Sequence, residues 1–261
     1  MTRIVVSVIN DLFTDQRVHR ICNSLHNGGY EVLLVGRKLR ASQKIQRNYK
    51  TYRINLIFKK GFLFYAFFNI RLFFFLLCRK TDILLANDLD TLPANFFISK
   101  IKNAKLVFDS HEYFPEVPEL IDRKRVQAFW LWIEKFIVPK IKNAYTVSPS
   151  IAQLYNEKYH VDFQVIRNLP FRDFSDRNEK FAQKTIIYQG ALNVGRGLEF
   201  MIETMKLLPE YMLKVAGEGD ISNELRELTK KLKLENRVEF TGRLPLEELK
   251  NMTRKAHLGI S

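Results

Sequence analysis

Acidic side chains are in short supply in this sequence: 28 Asp and Glu stand against 42 Lys and Arg, a formal net charge of +14. The deficit is concentrated at the beginning, where residues 1–60 hold twelve basic residues and three acidic ones. A basic surface suits nucleic acid, anionic lipid or a phosphorylated substrate, and charge alone does not choose among them. No zinc-finger spacing, RNP1-type aromatic signature or recognition-helix pattern accompanies it, which ranks nucleic acid below lipid and phosphate. Cysteine is nearly absent. Cys22 and Cys78 lie far apart inside apolar periodic segments, which excludes a disulfide framework and a zinc site, and both are expected to be buried free thiols. The amino terminus runs straight into MTRIVVSVIN without the basic, apolar and small-residue regions of an export signal, so the expected location is the cytoplasm. What the chain has in quantity is apolar surface: 46% of 261 residues are hydrophobic, which excludes a disordered chain and suffices for one large core or two smaller ones.

Apolar runs and amphipathic stretches alternate along the whole length, the pattern of repeated βα units around a parallel sheet. The fold class expected is therefore α/β. Strands are predicted at Ile4–Val8, Glu31–Val35, Thr51–Ile57, Ile83–Ala86, Lys105–Phe108 and Tyr145–Val147. A helix over Asp15–Asn27 places Val18, Ile21, Cys22 and Leu25 on one face and stops at Gly28-Gly29. Residues 167–184, RNLPFRDFSDRNEKFAQK, are polar and read as a linker. The alternation then restarts with strands at Thr185–Gln189, Tyr211–Ala216, Arg237–Thr241 and His257–Ser261. Helices from Arg196, over Ser222–Lys233 and over Leu246–Lys255 lie between them. The division predicted is a first Rossmann-like domain over 1–168, a linker over 169–184, and a partial second Rossmann-like domain over 185–261.

Ligands of open parallel sheets bind beyond the carboxyl ends of the strands. Asn10 and Asp11 follow the first strand, Asn87 and Asp88 follow ILLA, and Asp109, Ser110, His111 and Glu112 follow KLVF. Helix capping is the alternative for Asp11 and Asp88. The DSHE tetrad carries more titratable chemistry than a cap requires. In the second half, YQGALNVGRGLEF sets Gly190, Gly195 and Gly197 around Arg196, VAGEGD contributes Gly217 and Gly219, and FTGRLP contributes Gly242 and Arg243. Glycine turns of this kind allow a phosphate to approach the backbone, or serve turn geometry alone. Neither a Walker A loop nor GxGxxG spacing is present.

Taken in order, TDQRVHRICNSLHNGGYEVLLVGR, FDSHEYFPE, AYTVSPSIAQLY, VIRNLP, YQGALNVGRGLEFMIETMKLLPEYMLKVAGEGD and VEFTGRLPLEELKNMTRKAHLGIS resemble glycosyltransferase family 4. That family has the GT-B architecture of two Rossmann-like domains. The resemblance implies transfer of a sugar from a nucleotide-diphosphate sugar to a glycan or lipid-linked acceptor, with retention of anomeric configuration, no bound metal and no protein nucleophile. It implies that His111 reaches the donor sugar, that Arg196 contacts the diphosphate, and that Gly190, Gly197, Gly217, Gly219, Gly242 and Arg243 line the donor loops. Asn10, Asp11, Thr14, Asp88 and Glu112 fall on the acceptor side. Two positions depart from the family: Ala191 stands where an Arg commonly follows the first Gly, and the acidic E-x7-E segment would lie beyond Ser261. A second domain lacking that segment is expected to be incomplete and the chain alone inactive or weak. Competing functions are a nucleotide-sugar epimerase and a non-catalytic scaffold on a degenerate transferase fold.

Ile57–Lys80, IFKKGFLFYAFFNIRLFFFLLCRK, holds eight of the 21 phenylalanines. Asn69 and Arg71 break it below the roughly 20 apolar residues a membrane span needs. Phenylalanine nevertheless covers more of the helix than a sheet-packed face requires, and Lys59, Lys60, Arg79 and Lys80 flank it. That combination predicts peripheral docking on an anionic membrane surface.

Overall fold

The computed structural model describes residues 1–13, 15–39, 42, 44–58, 60–117, 120, 122–169 and 179–260. They form two compact units, Met1–Pro170 and Phe171–Ser261.

The first unit is an α/β layer structure on seven parallel strands: β1 (Arg3–Asp11), β2 (Glu31–Lys38), β3 (Lys50–Asn55), β4 (Ile83–Asn87), β5 (Lys105–Ser110), β6 (Ala144–Thr146) and β7 (Phe163–Val165). Their order is β3-β2-β1-β4-β5-β6-β7. The chain winds outward from β1 to β3, returns beside β1 as β4, and then winds the other way, so the topological switch lies between β1 and β4. Among the described residues the sheet is accompanied by helices α1 (Gln16–Asn27), α2 (Phe62–Leu77), α3 (Leu92–Lys102), α4 (Lys124–Ile137) and α5 (Pro149–Tyr159). Alternation along β1 explains how both faces are covered. Ile4, Val6 and Val8 pack with Val18 and Cys22 of α1, whereas Val5 and Ile9 pack with Phe64, Phe68, Leu72 and Leu76 of α2 and Ile98 of α3. Each of these fully buried side chains contributes about 1.5–3 kcal/mol relative to exposure.

Asp15 caps α1 by accepting a 2.9 Å bond from the Val18 N–H. This satisfies one of the free amides of the first turn and fixes where the helix begins. Along α2, Phe64, Phe68, Leu72 and Leu76 recur every four residues and form its buried stripe. Asn69 does not merely interrupt the apolar run. Its amide donates to the carbonyl oxygens of Tyr65 (3.0 Å) and Asp90 (2.7 Å), and its side-chain oxygen accepts from the Ala94 N–H (3.2 Å). It thus ties α2 to the turn that follows β4.

A buried carboxylate joins α4 to α5. Glu134 accepts from Lys158 Nζ at 3.0 Å, from the Tyr159 hydroxyl at 2.6 Å and from the Tyr155 hydroxyl at 3.3 Å. Burial opposes the Lys158 charge, but its bonds to the Tyr113 hydroxyl and Glu134 prevail and raise its pKa.

The second unit holds four parallel strands, β8 (Lys184–Gln189), β9 (Tyr211–Ala216), β10 (Val238–Gly242) and β11 (Leu258–Ile260), in the order β10-β9-β8-β11. Its helices are α6 (Leu198–Thr204), α7 (Ser222–Lys231) and α8 (Leu246–Lys255). Ile186, Tyr188, Leu198, Ile202, Leu213 and Val215 belong to its core.

Three expectations are corrected. Cys22 is buried, but Cys78 is exposed, because it caps the end of α2 rather than joining its buried stripe. The helix expected from Arg196 begins at Leu198, since Gly197 adopts a left-handed φ of +69° as its N-cap and leaves Arg196 in the preceding turn. Strand β7 was not among the expected strands: three residues with two of them exposed carry no period.

Candidate functional site

The carboxyl ends of β1, β4 and β5 are neighbours, so the polar groups that follow them meet at the switch point of the first sheet. Asn87 closes the β4 end by donating to the Ser7 carbonyl oxygen of β1 at 3.0 Å. The next residue, Asp88, has a left-handed φ of +63° and donates its N–H to the Asp109 carbonyl oxygen at 2.8 Å. A non-glycine residue there is costly, on the order of 1 kcal/mol or more, and persists only where the surroundings fix it. This backbone places Oδ1 of Asp88 2.6 Å from Nδ1 of His111, although the approach lies off the axis of a well-aligned Nδ1–H bond. Burial disfavours the charged imidazole, but the bond and the charge of Asp88 outweigh it and raise the His111 pKa. Arg17 opposes that rise and Glu112 adds to it.

Beside this pair stands a second one. Arg17 of α1 places NH1 2.6 Å from Oδ2 of Asp109 and NH2 3.3 Å from Oδ1 of Asn87. Asp109 is fully buried, and burial raises its carboxyl pKa despite the Arg17 charge. Asp90 is also buried, and its Oδ1 has no hydrogen-bond partner among the described residues. Burial, reinforced by the charges of Asp88 and Glu112 and opposed by Arg37, holds its carboxyl well above the usual carboxylate range. Arg17 and Asp90 were not singled out as site residues from the sequence. The signal for Arg17 was present in D-Q-R-V: Asp15 caps the helix, Val18 is buried, and Arg17 alone is left to face the strand ends. Asp90 gave none, because the second acid of a D-L-D turn looks like a capping residue.

The remaining acceptor-side residues divide. Asn10 is exposed and donates to Asp15 at 3.0 Å. Asp11 is engaged by two loops, one oxygen accepting the Phe13 N–H at 2.8 Å and the other the hydroxyl of Ser42, which lies between β2 and β3. Glu112 is half-buried at the rim. Thr14 lies outside the described residues.

In the second unit, three glycine loops lie side by side beyond β8, β9 and β10, and backbone bonds hold them together. Gly190 N–H donates to Ala216 O at 3.0 Å, Gly217 N–H to Gly242 O at 2.9 Å, and Ile221 N–H to Leu192 O at 3.0 Å. At Gly217, with φ +152°, a Cβ would stand 1.8 Å from the Gly190 carbonyl oxygen, so close contact between loops already requires glycine there. Gly219 likewise sits against Leu192 and Asn193. Arg196 and Arg243 are exposed and form no ion pair among the described residues. At the strand ends of the first unit Arg17 and His111 are thus each paired with a carboxylate, whereas the second unit offers a backbone cradle with two cations that form no ion pair among the described residues. No group of three or more His, Cys, Asp or Glu among the described residues could hold a metal ion. No described helix is long and apolar enough to cross a membrane.

Two successive α/β units with parallel sheets, each with its polar loops at the strand carboxyl ends, are the GT-B arrangement of sugar-transferring enzymes. Residues 15–169 match Glycosyltransferase Family 4, and residues 171–260 match Glycosyl transferases group 1. The chain belongs to glycosyltransferase family 4 and is a glycosyltransferase. Solved structures with the same fold include sucrose-phosphate synthase from Thermosynechococcus elongatus, at 15% identity and a TM-score of 0.77, covering 99% of this chain and 75% of that one. Anabaena HepE, solved with UDP and glucose, has 14% identity and a TM-score of 0.70 over 99% of this chain and 73% of its own. S. aureus TarM, solved with a glycosylated glycerol and UDP, has 11% identity and a TM-score of 0.70, covering 99% and 80%. Comparison with curated protein sequences gives no match.

Proposed function

We propose that this glycosyltransferase takes its sugar from a nucleotide-diphosphate donor and passes it, with retention, to a glycan or lipid-linked acceptor at the cytoplasmic face of an anionic membrane, in cell-surface glycan or polysaccharide synthesis. The observation that carries the donor assignment is the cradle of Gly190, Gly217 and Gly242 next to the unpaired Arg196 and Arg243. Departure of a nucleoside diphosphate develops negative charge on the leaving oxygen. Fixed cations and backbone N–H groups stabilise that charge more in the transition state than in the ground state, which is the condition for catalysis. Arg196 and Arg243 supply it without a metal. His111, paired with Asp88, is assigned to the donor sugar, and the leaving phosphate accepts the acceptor proton, so no protein nucleophile is required.

Membrane docking is supported by the outer side of α2. Phe62, Leu63, Ile70 and Phe74 are exposed there, while the stripe that packs on the sheet is separate and complete. An apolar face of this size flanked by basic side chains suits an anionic bilayer surface.

A thermal-shift screen with UDP, GDP, ADP and CMP tests the donor assignment, because a ligand bound to the folded state raises its melting temperature. One nucleoside diphosphate is expected to raise it, and Arg196→Ala to abolish the rise. Equal responses in the wild type and the variant would overturn the assignment. A nucleotide-sugar epimerase would instead interconvert donors with no acceptor present.

A further inference from the structure

At the end of the first sheet opposite the Asp88–His111 pair, the amino-terminal ends of β5 and β6 meet the carboxyl ends of α3 and α4 around a pocket of ≈ 280 Å³. Lys100, Lys105, Lys140 and Lys142 line it, and no acidic side chain does. All four lysines are exposed and none forms an ion pair among the described residues. Two are held by aromatic faces instead of acids: Lys140 Nζ stands 3.3 Å from the Phe136 ring centroid and Lys100 Nζ 5.5 Å from that of Phe96. Four like charges around one cavity repel each other, and an anion placed among them relieves that repulsion.

The surroundings identify where the anion comes from. Phe129, Trp132 and Phe136 of α4 stack in a row, with centroids 6.3 and 6.2 Å apart, that leads to Lys140. Trp132 is 64% exposed and Phe136 44%, and Phe97 and Ile101 of α3 are exposed beside them. Ring contacts between Phe62 and Phe129, and between Phe96 and Phe136, join this row to α2 and α3, so the apolar surface of the three helices is continuous. Exposed aromatic rings ending in a cluster of lysines match a bilayer boundary, where rings sit at headgroup depth and ammonium groups reach the phosphates. A free anion in water would gain nothing from the aromatic row.

We propose that the Lys100–Lys105–Lys140–Lys142 pocket binds the headgroup phosphate of an anionic phospholipid and anchors the helical face of the first unit to the membrane. The lipid held there is an anchor and not the acceptor, because the pocket lies at the opposite end of the strands from His111. This inference rests on the membrane docking proposed above, and the following experiment separates the failure of one from the failure of the other.

The protein is sedimented with vesicles of phosphatidylcholine alone and with vesicles containing phosphatidylglycerol. Wild type is expected to bind the second kind only. The exposed lysines are replaced together (Lys100→Gln, Lys105→Gln, Lys140→Gln, Lys142→Gln), with far-UV circular dichroism and melting temperature as checks on folding. A charge-matched control carries Lys206→Gln, Lys231→Gln, Lys233→Gln and Lys250→Gln. Each lysine near an anionic surface contributes roughly fivefold to partitioning, so the pocket variant should lose about 10²–10³-fold and the control far less. Trp132→Ser with Phe136→Ser should also release the protein from vesicles. If wild type binds no vesicle, both readings fail. If wild type binds and the pocket variant loses no more binding than the charge-matched control, the pocket inference fails while docking stands. If inorganic phosphate at low ionic strength displaces the protein from vesicles at concentrations where sulfate does not, the pocket is a free-phosphate site and the lipid assignment is overturned.

Discussion

The two units use the carboxyl ends of their strands in different ways. In the first, side chains face one another in close pairs, Arg17 with Asp109 and His111 with Asp88, each with a partner that is largely buried. In the second, the backbone itself forms the surface, with Gly190 bonded to Ala216 and Gly217 to Gly242, and Arg196 and Arg243 form no ion pair among the described residues. A buried pair is set before any ligand arrives and is costly to break. A backbone cradle with exposed cations costs little to alter until a charged ligand is present. The difference predicts that mutations in the first unit act on stability and proton affinity, and those at the arginines of the second act on donor binding.

The largest effect should come from Arg17→Ala, which strands the buried Asp109. A loss of about 3–5 kcal/mol in urea unfolding is expected at neutral pH. Because Asp109 already has a raised pKa, the loss should shrink as pH falls and the carboxyl takes up a proton. An unchanged midpoint would mean that the pair is not prearranged. Next is Gly217→Ala, whose methyl group would meet the Gly190 carbonyl oxygen; about 2–4 kcal/mol of destabilisation is expected by thermal unfolding. A smaller effect is expected of Asp88→Asn. The pKa of His111 is raised in the folded protein, so its pairing with Asp88 stabilises fully at acid pH and is lost as pH rises through that value. The variant should show a lower His111 pKa by NMR titration of the ring Cε1–H. It should also lose stability mainly on the acid side. The smallest stability change belongs to Arg196→Ala, within about 0.5 kcal/mol of wild type. Its donor KM should nevertheless rise, and an unaltered KM would dissolve the contrast between the units.

Strands and helices were legible where their periods were long. Tyr211–Ala216 and Leu246–Lys255 fall where the apolar pattern places them, and α1 ends at the expected Gly28. Ends and short pieces were not. β7 is too brief to show alternation, and the start of α6 depended on the left-handed Gly197 rather than on the charge before it. Of the site, Asp88, His111 and Glu112 could be picked out because they follow strands. Asp90 could not, and Arg17 carried only the local D-Q-R-V signal, because the carboxylate it meets, Asp109, is 92 positions away along the chain.

The sequence by itself determined the parallel α/β class and the glycine loops, since periodicity and turn chemistry are local properties. Only the tertiary structure decided which charges are paired, which glycines serve loop contact, and which aromatic rings are left on the surface. Burial and pairing depend on groups that the fold, and not the order of residues, brings together.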